Sequence, residues 1–271
     1  MSETRIKELL KIMARLRGPS GCPWDRKQDL QSLIPFLIEE SYEVIEAIEK
    51  GDRSNLQEEL GDLLYQIIFL AEITGEKGWF DLGDIISHSI DKMIRRHPHV
   101  FGNEKARNAK EALDKWNAAK EKEKGKEIKG SPLDEVPTHL PALMRAQKIT
   151  ERASRIGFDW KGTGEIVKKI EEEIEEFKNA LKDGDKLNIK EELGDVLFAL
   201  VNIGRFLEID TEDALRKATN KFATRFDYVV ENISNDKGFD KASLEEMERL
   251  WNEAKEVFPL KEGSQKDNFT F

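Results

Sequence analysis

The chain comprises 271 residues, 38% of them apolar and 36% charged. That is apolar content enough for a core, despite a charged share above the ~25% of an average domain. A net charge of −10 weighs against a general nucleic-acid or membrane-surface binder, which needs a basic face, but not against a small anionic substrate met by local cations. No apolar run approaches the ~20 residues of a bilayer span.

Taken in order, the pattern is helical almost throughout, with little of the β-branched alternation that strands require. Met1-Ser2-Glu3-Thr4-Arg5 opens a charged, helix-like segment and not a secretory signal. Cys22 is the single cysteine, so no internal disulfide can form, and a cytoplasmic location is expected. A turn is expected at Arg17-Gly18-Pro19-Ser20-Gly21-Cys22-Pro23. One helical segment then carries Glu39, Glu40 and Glu43, and another, after a short Gly51-Asp52 loop, carries Glu59 and Asp62. A helix with Lys92, Arg95 and Arg96 is expected to end near Pro98, where His97-Pro98-His99 reads as a capped turn and not as a metal site. The stretch from Glu121 to Pro141, Lys/Glu-rich and then proline-rich, reads as a linker with weak helical content at its start. After Pro259 the chain is short, polar and expected to be loose.

A linker near the midpoint prompts a search for a repeat, and one is present. Glu59-Leu60-Gly61-Asp62-Leu63-Leu64 recurs as Glu192-Leu193-Gly194-Asp195-Val196-Leu197, and Glu39-Glu40 with Glu43 recurs as Glu172-Glu173 with Glu176. Fifteen residues separate Glu43 from Glu59, and fifteen separate Glu176 from Glu192. Gly21-x-x-Trp24 matches Gly157-x-x-Trp160, Lys92 and Arg96 match Lys221 and Arg225, and Trp116-Asn117-x-x-Lys120 matches Trp251-Asn252-x-x-Lys255. The chain is therefore expected to be all-α: two tandem copies of one helical-bundle unit, residues 1–124 and 137–260, joined by a linker at 125–136 and followed by a tail at 261–271.

The acids are spaced for a purpose. An i, i+3 pair lies one turn apart on one helix face. With Glu40 at zero, Glu43 falls near ~300°, while Leu33, Ile34, Leu37, Val44 and Ile48 fall between ~20° and ~120°. Glu59 and Asp62 border their apolar stripe in the same way. Two such helices packed antiparallel bring four carboxylates together beside the core. Without a counter-charge some of them must protonate; a hard divalent cation removes the conflict, and oxygen-only donors favour Mg²⁺, or Mn²⁺, over Zn²⁺. An ordinary solvated acidic face is the competing reading. Diiron carboxylate bundles use Glu-x-x-His pairs; here each i+3 partner is Glu or Asp, which favours metal-assisted chemistry on phosphate.

The pattern Glu39-Glu40-x-x-Glu43…Glu59-x-x-Asp62 resembles the signature of the all-α nucleoside triphosphate pyrophosphohydrolases. The tandem copies resemble the MazG family within them. So do Gly21-Cys22-Pro23-Trp24-Asp25, the stretch from Arg95 through His97-Pro98-His99 to Gly102, and the stretch from Arg152 to Trp160. The likeness covers all but the linker and the last residues. It implies Mg²⁺-dependent hydrolysis of (d)NTPs between the α- and β-phosphates to a monophosphate and pyrophosphate, with broad base tolerance, a house-cleaning role in the nucleotide pool, and a homodimer. It places metal on Glu40, Glu43, Glu59 and Asp62 in the first copy, and on Glu173, Glu176, Glu192 and Asp195 in the second. Glu39 and Glu172 match the first acid of the motif; unligated, either can orient the attacking water or accept its proton.

A leaving pyrophosphate calls for positive charge. Lys92, Arg95, Arg96 and Lys120 are the candidates in the first copy, Lys169, Lys221, Arg225 and Lys255 in the second, against the plainer reading of surface cations in salt bridges. Trp24 and Trp160 read as core packing at loop–helix junctions. Trp251 is the better candidate for ligand contact. Both copies keep four acids, but Lys168-Lys169 precedes only the second set, so unequal activity is expected. The alternative to an enzyme is a non-catalytic dimeric helical scaffold, or a nucleotide-sensing regulator with cation-binding acidic sites. A phosphatase releasing orthophosphate is a further alternative.

Overall fold

The computed structural model describes residues 2–123, 131–233 and 242–259, and every regular element among them is helical. The expected tail at 261–271 and residues 125–130 of the expected linker lie outside the described residues. The chain divides into two compact units between Glu127 and Ile128.

In the first unit, α1 (Ser2–Arg17) leads through a short 3-10 turn at Asp25–Lys27 to α2 (Ile34–Lys50) and α3 (Arg53–Glu76). Three further helices follow: α4 (Leu82–Arg96), the single turn α5 (Pro98–Phe101) and α6 (Ala109–Glu123). Helices α2 and α3 form the main hairpin; α1 packs on α3, and α4 rests on α3 and α6. Met13, Leu33, Ile68, Phe69 and Ile73 are fully buried and form the core, with Leu9, Phe36, Tyr65 and Leu82 around it. Arg17 closes the lower end. Its guanidinium sits over the Phe69 ring, donates to the carbonyls of Asp25 and Gln28, and pairs with Glu76 at 2.6 Å.

The second unit repeats the plan with α7 (Ala142–Arg155), α8 (Thr163–Asp183), α9 (Lys186–Phe206), α10 (Thr211–Asn232) and α11 (Leu244–Val257). Helices α8 and α9 form its hairpin; α7 packs on α9 and α10, and α11 on α10. Arg205 at the end of α9 grips Asp159 in the loop after α7. Like Arg17–Glu76, it ties the end of the hairpin's second helix to the segment at or just after the end of the unit's first helix. Within the segment expected to be a linker, residues 131–136 form a turn whose Val136 is buried and whose Glu135 pairs with Arg152 of α7; one apolar side chain and one charge suffice to hold that stretch against the second unit.

The hairpin turns explain how the acidic helices face one another. Gly51 and Gly184 end α2 and α8 at φ of 66° and 76°, the left-handed conformation that an L side chain resists. The next residue in each copy, Asp52 or Asp185, caps the following helix: Asp52 accepts from the Ser54 and Asn55 amides, and Asp185 from Leu187. The chain therefore reverses in two residues, and the helices must run antiparallel.

Candidate functional site

The α2–α3 hairpin brings Glu40, Glu43 and Glu59 together: one carboxylate oxygen from each lies within 4.8 Å of the others. Asp62, one turn beyond Glu59 on α3, adds its charge to Glu40 and Glu59. In the second unit the equivalent trio within 4.8 Å is Glu173, Glu192 and Asp195, and Glu176 adds its charge to Glu192. Three of the four acids expected to act together thus meet in each hairpin, while Asp62 and Glu176 stand outside the trios and act on them through charge.

Their electrostatics follow from the crowding. The Glu40 carboxyl is pushed above the ordinary glutamate range, first by partial burial and then by Asp62, Glu43 and Glu59. Glu59 is raised by desolvation and then by Glu43 and Asp62; Glu192 is raised by desolvation and then by Glu176, Asp195 and Glu173. Such sets bind protons more readily than isolated acids, and a divalent cation relieves the same repulsion without protonation. Oxygen donors converging from two helices, with no His or Cys in either trio, suit a hard ion.

The two sets are anchored differently. In the first, the buried Gln66 of α3 reaches across the hairpin, its amide nitrogen 3.4 Å from Glu40 Oε1, while its own buried Oε1 has no partner among the described residues. In the second, Lys169 Nζ lies 2.9 Å from Glu172 and 2.9 Å from Glu173, and both bonds hold the ammonium well above the ordinary lysine range, Glu173 contributing most. Glu39 is exposed on α2 beside its trio, and Glu172 is exposed on α8 apart from its bond to Lys169.

The expected phosphate cations are placed as follows. Arg95 and Arg96, in the last turn of α4, both donate to the Glu123 carboxylate of α6, at 3.2 Å and 2.7 Å. Arg96 and Lys120 also lie over the Trp116 ring at 5.1 Å. These cations and the acid trio are held by different partners: a cluster of α4 and α6 on one side, the α2–α3 seam on the other. Lys92 lies partly exposed on α4. In the second unit Arg225 donates to the Phe258 carbonyl, its buried Nε having no partner among the described residues, Lys255 donates to Asn252, and Lys221 is exposed on α10. Trp251, expected to contact ligand, is partly exposed and packs beside Phe222 at 5.1 Å and against the small core of Val229, Ile233 and Leu250. Trp24 meets Phe36 edge-on at 5.7 Å, but Trp24 and Trp160, both expected in the core, are exposed at its margin. Sequence reading passed over Gln66 and Glu123. Gln66 leaves a trace, an amide inside the apolar run of α3; Glu123 leaves none, being one acid in a Lys/Glu-rich stretch.

Comparison with known proteins agrees with this arrangement. The MazG nucleotide pyrophosphohydrolase domain matches twice, at residues 28–101 and 162–230, and each match spans one acidic hairpin. The "Nucleoside triphosphate pyrophosphohydrolase" of Escherichia coli (strain K12) is 44% identical over 93% of this chain and 97% of that protein. The "Nucleoside triphosphate pyrophosphohydrolase/pyrophosphatase MazG" of Thermotoga maritima is 46% identical over 92% of this chain and 95% of that one. A solved structure of a mazG-related protein from Thermotoga maritima is 35% identical, covering 42% of this chain and 98% of its own, with a TM-score of 0.37. With the domain present in both halves and near-full-length relatives well above 30% identity, the chain belongs to the MazG family of nucleotide pyrophosphohydrolases.

Proposed function

We propose that this protein hydrolyses (d)NTPs to (d)NMP and pyrophosphate with Mg²⁺, tolerating different bases and clearing the cytoplasmic nucleotide pool. The observation that carries the reading is the pair of oxygen-only acid sets that two Gly-Asp turns fold into two hairpin seams. The ligands would be Glu40, Glu43, Glu59 and Asp62 in one unit and Glu173, Glu176, Glu192 and Asp195 in the other. A bound Mg²⁺, or Mn²⁺, supplies charge neutralisation for phosphate oxygens and a lowered pKa for bound water.

The remaining roles fall to the chain. Glu39 and Glu172 stand beside the ligand set without belonging to either trio, so each can orient a water at the α-phosphorus and take its proton as the bond to the leaving pyrophosphate breaks. Lys92, Arg95, Arg96 and Lys120 in the first unit, with Lys169, Lys221, Arg225 and Lys255 in the second, offer the positive charge that the triphosphate needs; Arg95 and Arg96 already hold a carboxylate, Glu123, in the geometry an anion takes. We assign a homodimer on the exposed apolar face of α4, where Ile86, Ile90, Met93 and Ile94 are left uncovered within the chain.

The test is hydrolysis of a dNTP panel with mononucleotide and pyrophosphate both quantified. Equimolar dNMP and pyrophosphate are expected. Orthophosphate with a dNDP would indicate a phosphatase, and no release in Mg²⁺ or Mn²⁺ would leave a cation-binding scaffold. Glu39→Gln and Glu172→Gln together are expected to keep Mn²⁺ binding while lowering turnover by about a hundredfold or more; wild-type turnover in that double variant would overturn the general-base assignment.

A further inference from the structure

The two acid sets differ in what holds them, and the difference carries a consequence for metal loading. Residue 36 stands three before Glu39 as residue 169 stands three before Glu172, and residue 66 stands seven after Glu59 as residue 199 stands seven after Glu192. In the first unit these places are Phe36 and Gln66. Phe36 packs against the core cluster of Met13, Leu33, Ile68, Phe69 and Ile73, and among the described residues Glu40 is held by the neutral amide of Gln66. In the second unit the places are Lys169 and Ala199. The amide is gone, and the ammonium of Lys169 holds Glu173 at 2.9 Å, with the Glu173 side chain 10% exposed and Lys169 34% exposed.

Resting on the metal-site reading above, we propose that Lys169 is a tethered counter-cation that makes divalent-metal loading of the second acid set depend on nucleotide, whereas the first set loads without it. The four acids of the first set present four negative charges to an incoming ion. In the second set one charge is already compensated by Lys169, and one oxygen of Glu173 is already in a charge-assisted hydrogen bond. A divalent ion arriving alone must displace or crowd that ammonium, and like charges a few ångströms apart repel strongly. A triphosphate changes the balance. It offers Lys169 phosphate oxygens in place of Glu173, so one movement of a flexible lysine frees the carboxylate and places a cation on the anion that arrives with the metal. Lys169 thus holds Glu173 in the free protein and passes to phosphate when nucleotide arrives.

The test is Mn²⁺ binding to the full chain, read by the paramagnetic signal of free Mn²⁺, with and without an α,β-methylene dNTP that cannot be cleaved at the bond in question. A Glu43→Gln, Glu59→Gln background removes the first set and isolates the second. In that background Mn²⁺ is expected to bind weakly alone and about tenfold more tightly with the analogue. Adding Lys169→Met is expected to tighten nucleotide-free binding about tenfold and to abolish most of the dependence on the analogue; Lys169→Arg, which keeps the charge, is expected to retain the dependence. Unchanged or weaker nucleotide-free Mn²⁺ binding in Lys169→Met, with the second set still binding Mn²⁺, overturns this proposal and leaves the metal-site reading standing. No Mn²⁺ bound by the unsubstituted chain under any condition overturns both.

Discussion

At the residue scale, the acids of each hairpin are costly neighbours, and their protonation reports that cost. Glu40, Glu59 and Glu192 all titrate above the ordinary glutamate range because they are desolvated and crowded by other carboxylates. A raised acid in the folded state binds its proton more tightly than in the unfolded chain. Its contribution therefore favours folding on the acid side and is lost as pH rises from the ordinary value through the raised one. A divalent cation has the opposite preference, needing the deprotonated form. The increase in melting temperature on adding Mn²⁺ to EDTA-treated protein is accordingly expected to be large at about pH 7.5 and to shrink toward about pH 5, as these three carboxyls take up protons. Equal increases at both values would show that the acid sets are not where the ion binds. Opposite signs hold elsewhere: Arg17 holds Glu76 below its usual range, and for Asp159 burial is outweighed by hydrogen bonds from Arg205 and Ser154. Those two groups add stability that is lost only as pH falls through the lower carboxylate range.

At the element scale, the hairpin turn decides whether the acids meet at all. Gly184 and Gly51 each hold a positive φ that lets the helix end in one residue, and the aspartate after each starts the next helix. Gly184→Ala forces an alanine into the left-handed region and is expected to lower the unfolding free energy by about 1 kcal/mol in urea titrations. Gly194, inside the repeated Glu-Leu-Gly-Asp motif, is different: it lies within α9, and a Cβ there meets nothing within 4 Å. Gly194→Ala is expected to raise stability by about 0.5–1 kcal/mol, so a loss in both variants would contradict the geometry. The ion pairs Arg17–Glu76 and Arg205–Asp159 brace the far ends of α3 and α9. Both tie the end of the hairpin's second helix to the segment around the end of the unit's first helix, but at non-equivalent positions of the repeat.

At the scale of the whole molecule, each unit has a thin core. The first clusters around Met13, Leu33, Ile68, Phe69 and Ile73, and the second around Val229, Ile233 and Leu250 with Ile166 and Val201 also buried, while Ile86, Ile90, Met93 and Ile94 of α4 stay exposed. A second copy on that face would bury what one chain leaves uncovered. Light scattering is expected to give twice the 31.2 kDa chain mass, and Ile90→Glu is expected to shift the population toward one copy; a monomeric unsubstituted protein would remove the dimer assignment. Among the described residues no helix is long and apolar enough to cross a membrane. Much of this was legible in the chain itself. Helical periodicity, the Gly-Asp loop and the twice-repeated acids at a fixed spacing set the class, the duplication and the seams, because side-chain period and turn chemistry are local properties that residue order encodes directly. Other features needed the fold: that Gln66 of α3 steadies Glu40 of α2; that Arg95 and Arg96 converge on Glu123; and that Trp251 packs beside Phe222. Those pairings join residues far apart in sequence or on different elements, and only the packing of one helix against another determines which side chains come within reach.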